Sequence, residues 1–304
     1  MNISFSLIFC QKRRFFALPS ISSILLPGPC NQYRAYWRVD ERDFKVGGFK
    51  YRMKRDEKEA AVMYRNAAEF YHDYRTKINP KGWFYNELLE MPTTLKLLGD
   101  LKGKKVLDYG CGSGIYSKIL SKKGANVKGF DISEEMLKIA RKDNPHIEFR
   151  QGSGYNIPFK EQFDIVVAPL VIHYMGAWNK VFREVSRVLK KDGLFVFSCG
   201  NPVYEVSESV KVKGKKYKAL GISSYFKEKV FYNTWRNEYN NKKINAPFYH
   251  KTYGTIVKTI ISNGFEIVDY EDCFPLKKAK KLFPKDYEKF SKMPIFCVWK
   301  VRKK

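Results

Sequence analysis

Two aspartates and a run of glycines carry the most legible chemistry in this chain. In VLDYGCGSG, residues 106–114, Asp108 ends an apolar run, and Gly110, Gly112 and Gly114 follow at alternate positions. Glycine inside an element costs up to ~1 kcal/mol against alanine. Placing so many together points to a ligand that approaches the main chain closely, with backbone N–H groups turned toward it. The dinucleotide fingerprint G-x-G-x-x-G would need glycine where the chain has Ile115, and the G-K-[ST] of a phosphate loop is absent. Asp131, in VKGFDIS at the end of the next strand, can accept hydrogen bonds from both vicinal hydroxyls of a ribose. Plainer roles stay open: Asp108 as a turn cap, and Asp131 as a cap for the helix at Ser133. Cys111 reads as a small space-filling residue, not a nucleophile.

Two histidines stand where a reacting molecule would arrive. His173 lies in VIHYM past a later strand, and His250 in FYHKT where an irregular segment rejoins the regular pattern. Each suits a general base or a substrate-orienting group, since neutral imidazole removes protons near pH 7. A structural hydrogen bond in a packed loop explains either one equally well. His72, His146, His173 and His250 show no ligand spacing among themselves or with the cysteines, so no metal centre is expected.

Such residues need a frame that brings strand ends to one edge. Residues 57–101 read as helical, with Ala60, Ala61, Met63, Tyr64, Ala67, Ala68, Phe70 and Tyr71 at three- and four-residue spacings. INPKGW interrupts them, and a second helix is expected from Leu88 to Leu98 after Pro92. Strands at 105–109, 126–131, 147–150, 163–169 and 194–199 then alternate with helices at 115–123, 134–141 and about 177–190. Apolar strands alternating with amphipathic helices predict a parallel sheet covered on both faces. Residues 201–250 break the rhythm with aromatic and polar sequence that suits a lid or insertion. A helix at 251–263, a strand at 265–270 and the closing strand PIFCVWKVRK follow.

Composition narrows the classes. The 304 residues are 44% hydrophobic and 16% aromatic, which excludes a disordered chain, and no apolar stretch approaches a membrane span. The net charge of +26 invites an anionic partner. Lysine far outnumbers arginine, however, and Asn, Ile, Tyr and Phe are frequent, so drift toward A/T-rich codons is the preferred account. The six cysteines include no C-x-x-C pair, which fits buried thiols in a reducing, cytoplasmic setting. Residues 1–52 read as an extension outside the fold, with Met53 as the functional start; an organelle transit peptide is the minority reading. The domain is placed at 53–304, comprising N-terminal helices at 53–101, a binding core at 102–200, the insertion at 201–250 and the rest of the sheet at 251–304.

The glycine loop paired with Asp131 resembles the class I S-adenosylmethionine-dependent methyltransferases, and their small-molecule (type 11-like) branch in particular. The resemblance runs from about Tyr64 to the C-terminus. It includes LLGDLKGKKVLDYGCGSGIYSKILSKKGANVKGFDISEEMLKIAR and FDIVVAPLVIHYMGAWNKVFREVSRVLKKDGLFVFS. It implies a Rossmann-like seven-stranded, mostly parallel α/β sheet, helices on both faces, a closing antiparallel strand and an aromatic lid-like insertion. By the same resemblance, Asp108, Gly110, Cys111, Gly112 and Gly114 would frame the methionine portion of S-adenosyl-L-methionine. Asp131 would hold its ribose, and Ile132 would lie against the adenine. Tyr71 and Tyr85 would close over the cofactor, or else are core aromatics. Leu170 would offer a backbone carbonyl to the cofactor's amino group. RQGSGYNIPF matches the family's adenine segment, including Ser153 and Gly154, but Ser153 stands where an aspartate is common.

The expected function is methyl transfer to a small molecule held between the sheet's carboxyl edge and the insertion. His173 and Tyr174 would lie beside the methyl group, with Tyr225, Phe226, Trp235, Tyr249 and His250 supplied by the insertion. The alternatives are an RNA (tRNA or rRNA) methyltransferase, suggested by the lysine runs 211–218 and 277–285, and a non-catalytic cofactor-binding protein of the same fold. No membrane partner is expected.

Overall fold

The computed structural model describes residues 44–46, 49–51, 54–78, 83–211, 218–222, 224–236 and 243–304. Most of the expected 1–52 extension lies outside the described residues. Within it, β1 (Phe44–Val46) and β2 (Phe49–Tyr51) pair antiparallel. Helix α1 (Arg55–Asp73) follows and runs into a π-helical turn, Tyr74–Ile78. The second helix begins earlier than its sequence pattern suggests. A π-helical stretch, Phe84–Glu90, leads into α2 (Met91–Leu98), with Met91 N bonded back to Asn86 O and Pro92 in the first turn.

Next come β3 (Lys105–Tyr109), α3 (Ile115–Lys122), β4 (Asn126–Asp131), α4 (Glu134–Asp143), β5 (Glu148–Gln151) and β6 (Phe163–Ala168). They are followed by α5 (Trp178–Val188) and β7 (Leu189–Gly200). Helix α5 stops short of the expected Lys190, because Leu189 already pairs with Phe163 and Lys190 Nζ reaches Asp164 at 2.6 Å. After the short α6 (Pro202–Glu205), the insertion forms two hairpins. These are β8 (Ser207–Lys211) with β9 (Lys218–Ile222), and β10 (Val230–Arg236) with β11 (Lys243–Tyr249). The chain closes with α7 (Tyr253–Ser262), β12 (Phe265–Asp272), α8 (Ala279–Leu282), α9 (Pro284–Phe290) and β13 (Phe296–Lys303).

The central sheet has seven strands in the order β12-β13-β7-β6-β3-β4-β5, and β13 runs antiparallel to both its neighbours. Period-two alternation sends each strand's side chains to two cores. Leu107, Val166, Phe195 and Phe197 join Trp178, Phe182, Ile256 and Ile260 on one face. On the other, Val106, Ile165, Val167 and Val196 meet Leu97, Leu120 and Leu137. The apolar strands are thus buried on both sides, as their near-continuous hydrophobicity requires. The chain runs outward from β3 through β4 to β5 and then crosses back to β6 on the other side of β3. The crevice at their carboxyl ends is the topological switch point where open α/β sheets bind ligands. No helix among the described residues is long and apolar enough to cross a membrane.

Candidate active site

A cavity of about 540 Å³ opens at that switch point. Tyr71, Tyr85, Asp108, Gly110, Cys111, Gly112, Asp131, Leu170, His173 and Tyr174 all border it. The glycine loop is shaped by its glycines in different ways. Gly110 has φ +70°, and a Cβ there would lie 2.4 Å from Val171 Cγ2. Gly112 has φ +52°, and a Cβ on it would meet nothing within 4 Å, so its bare backbone faces open space. Gly114 (φ +78°) packs instead on Ala140 and Asn144, seating α3 against α4.

Asp131 caps the loop from the next strand. Its Oδ2 accepts from Gly112 N at 2.9 Å and its Oδ1 from Ser133 N at 2.9 Å. A carboxylate has about four acceptor positions, so capacity remains for a ligand. Asp108 is fully buried, and Oδ2 accepts from Ser117 Oγ at 2.6 Å while Oδ1 has no partner. Burial above all, with the nearby Asp131 charge adding to it, pushes its carboxyl up to about 7, against the Ser117 hydrogen bond. An orphaned acceptor on the cavity wall fits a cationic group on the ligand.

Leu170 adopts φ +51°, a left-handed conformation that costs an L-residue ~1–2 kcal/mol. A buried chain of hydrogen bonds holds it there. Leu170 N donates to Ser198 Oγ at 2.8 Å, and Ser198 Oγ donates to Glu90 at 2.6 Å. Glu90, fully buried, also accepts from Thr94 Oγ1 and Tyr116 Oη, each at 2.6 Å.

His173 borders the cavity with its Nδ1 unpartnered, and burial lowers its pKa to about 4. The ring is therefore neutral and a poor proton acceptor at pH 7, better suited to orienting a donor than to removing its proton. His250 sits elsewhere. It is fully buried behind the cavity wall, with Nδ1 2.9 Å from Glu205 Oε2 and Nε2 2.9 Å from the Tyr225 carbonyl. Burial disfavours its cation, but Glu205 and that carbonyl outweigh it and raise its pKa.

The remaining expected positions divide. Ile132 and Gly154 border a small cleft that shares Tyr64, Gly110, Asp131, Val171 and Tyr174 with the main cavity. Ser153 is fully buried and borders neither; its hydroxyl donates to Glu57 of α1, which does face the small cleft. From the insertion, Ala246 and Phe248 of β11 reach the cavity, whereas Tyr225, Phe226 and Tyr249 do not. Tyr249 points to the other face of β11 and lies against Gly176, and Phe226 is 89% exposed. The Trp235 side chain lies outside the described residues. Arg75, Trp83, Glu205 and Lys289 also border the cavity, and sequence reasoning missed them. Arg75 had a signal: it follows Tyr71 by one helical turn, and its Nη1 donates to Tyr71 Oη at 3.0 Å while its Nε donates to Glu87 at 2.8 Å.

A methyltransferase-domain family profile matches residues 107–197, the span that holds the glycine loop, Asp131, Leu170 and His173. The fold superposes on an S-adenosylmethionine-dependent methyltransferase from Mesorhizobium loti with a TM-score of 0.59 and 25% identity, covering 70% of this chain and 97% of that one. The chain belongs to the class I S-adenosylmethionine-dependent methyltransferases. It is also 32% identical over 193 residues to an uncharacterized protein of Methanocaldococcus jannaschii, covering 60% of this chain and 69% of that one. A ubiquinone biosynthesis O-methyltransferase from Bordetella avium is 34% identical over 112 residues, covering 35% of this methyltransferase. The match spans about half of that relative, 46% of its length.

The cofactor is S-adenosyl-L-methionine, whose sulfonium supplies an activated methyl group. The bare Gly112 backbone, the unpartnered Asp108 Oδ1 and the spare acceptor capacity of Asp131 fit its methionine and ribose portions. Among the described residues no His, Cys, Asp and Glu cluster could hold a metal ion.

Proposed function

We propose that this methyltransferase acts on a small molecule bound over the carboxyl ends of β6 and β7. The observation that carries this reading is the cavity itself. Its roughly 540 Å³ is shared by cofactor and acceptor, which leaves room for a small acceptor. Its far wall, from Tyr85, Tyr204, Phe248, Phe290 and Phe296, is aromatic. Arg75, His173 and Tyr174 add a few polar tips. From the lysine run 277–285 nothing borders the cavity, so those charges do not line a nucleic-acid groove into it. Residues such as Gly110, Asp131 and Leu170 would hold the cofactor, and His173 would orient the acceptor. Four buried free thiols (Cys111, Cys199, Cys273 and Cys297) support a reducing, cytoplasmic setting.

Methyl transfer from labelled cofactor into fractionated cell extract tests the proposal. Label is expected in the metabolite fraction. Label confined to RNA, with a rate falling steeply as salt rises, would replace this reading with the RNA one. We also propose that residues 1–52 are dispensable to the catalytic domain. A chain beginning at Met53 should keep the full-length melting temperature and cofactor affinity. A large loss of either would show that the extension packs on the domain.

A further inference from the structure

We propose that Glu205, backed by His250, holds a hydroxyl group of the methyl acceptor and takes up its proton. The inference rests on the small-molecule reading and names the acceptor chemistry. Glu205 ends α6, directly after β7, and its carboxylate borders the cavity with the side chain 10% exposed. Oε2 is bound to His250 Nδ1. Oε1 lies against Gly200, where a Cβ would come within 2.1 Å of it, so glycine at 200 is what lets the carboxylate reach the wall. Among the described residues the hydrogen bond to this carboxylate falls on Oε2, which leaves Oε1 for a ligand.

The other carboxylates on this cavity, Asp108 and Asp131, stand on β3 and β4 beside the glycine loop. Glu205 stands past β7, with β6 between it and β3. At ~4.8 Å per strand this puts its strand about 10 Å from that of the loop, on the aromatic side of the cavity. Tyr204 and Phe290, rings 6.0 Å apart, border the same cavity.

The charge state selects the ligand chemistry. Both ring nitrogens of His250 face oxygens, and Glu205 and the Tyr225 carbonyl raise its pKa, which favours the imidazolium. Burial raises the Glu205 pKa and the His250 hydrogen bond opposes it, and the ion-paired form is a unit of no net charge. A neutral O–H satisfies Oε1 without adding an uncompensated buried charge, whereas a second anion would be repelled. During transfer a bond forms between the acceptor oxygen and the methyl carbon. The sulfur–carbon bond breaks with its electron pair left on sulfur, and the hydroxyl proton passes to Glu205 Oε1 and then to water. His250 is a positioning residue in this scheme, since neither of its nitrogens is open to the cavity.

The test is binding at pH 7 by calorimetry, on the full chain saturated with S-adenosylhomocysteine. The probes are 4-methoxyphenol and 1,4-dimethoxybenzene, which share an aromatic ring and differ in the hydroxyl. Wild type should bind the phenol about tenfold or more tighter, as expected for a hydrogen bond to a charged group. Glu205→Gln should erase that preference while its affinity for S-adenosylhomocysteine stays unchanged. If Glu205→Gln does not fold, Glu205→Asp, which withdraws the carboxylate by one methylene, should reduce the preference. Equal binding of the two probes to wild type, binding of neither, or a preference that survives in the variant would overturn the assignment. Failure of wild type to bind S-adenosylhomocysteine would instead count against the cofactor site and the reading built on it.

Discussion

Asp131→Ala is expected to weaken binding of S-adenosyl-L-methionine by two to four orders of magnitude. Two charge-assisted hydrogen bonds to a ribose would be lost, each contributing roughly 1.5–3 kcal/mol, and tenfold in affinity corresponds to about 1.4 kcal/mol. The side chain has a second task in the structure. It ties Gly112 N and Ser133 N, one to each oxygen, so alanine also releases the glycine loop and the start of α4. Asp131→Asn separates the two contributions. The amide keeps one acceptor oxygen and the shape of the side chain but loses the charge, so its melting temperature should stay nearer wild type while affinity still falls. Calorimetry on folded variants decides the matter, and unchanged affinity in Asp131→Ala would remove Asp131 from the cofactor site.

Why Asp131 could be read from sequence while Glu205 could not is a matter of what each position depends on. Asp131 ends a strand buried on both faces, and that burial writes itself as an apolar run with an abrupt polar stop. Its distance from the glycine loop is set by neighbouring parallel strands, β3 and β4, whose register is local. The alternation of strands and helices from 105 to 200 was legible for the same reason. The insertion was not. Which β11 side chains face the cavity depends on register, and a one-residue shift exchanges Phe248 for Tyr249; aromatic composition favours both equally. His250 illustrates a further gap. Its chemical type suggests a base, yet the partners on both of its nitrogens come from residues 205 and 225, so its role is settled by tertiary contacts. Ser153 is similar: its hydroxyl meets Glu57, from a helix nearly a hundred residues earlier, and nothing in the local segment announces that partner. Helix α1 and the hairpin strand β11 close over the site together, with Ala60, Met63 and Ala67 packed against Tyr174 and Ala246. Pairings of that kind come from separate parts of the chain and leave no periodic trace.

The glycine loop yields the sharpest separation of folding from binding. Gly110→Ala should destabilise the fold, and Gly112→Ala should chiefly damage the site. Both positions hold positive φ, at +70° and +52°, so each alanine incurs ~1–2 kcal/mol of backbone strain. Only at 110 does the new methyl collide, 2.4 Å from Val171 Cγ2 and 3.1 Å from its Cβ. Valine is stiff about χ1 and cannot swing aside cheaply, and overpacking of this kind costs a further ~1–3 kcal/mol. Gly110→Ala is therefore expected to lose about 2–5 kcal/mol in denaturant unfolding, part of it recovered in the double variant with Val171→Ala. At 112 the methyl meets no protein atom and instead enters the space beside the loop, so unfolding should shift by only the strain. Cofactor affinity should nevertheless fall more than tenfold, because the backbone can no longer be approached closely. Equal stability losses in the two variants, or an undiminished affinity in Gly112→Ala, would mean that the bare backbone at 112 serves the turn and not the ligand.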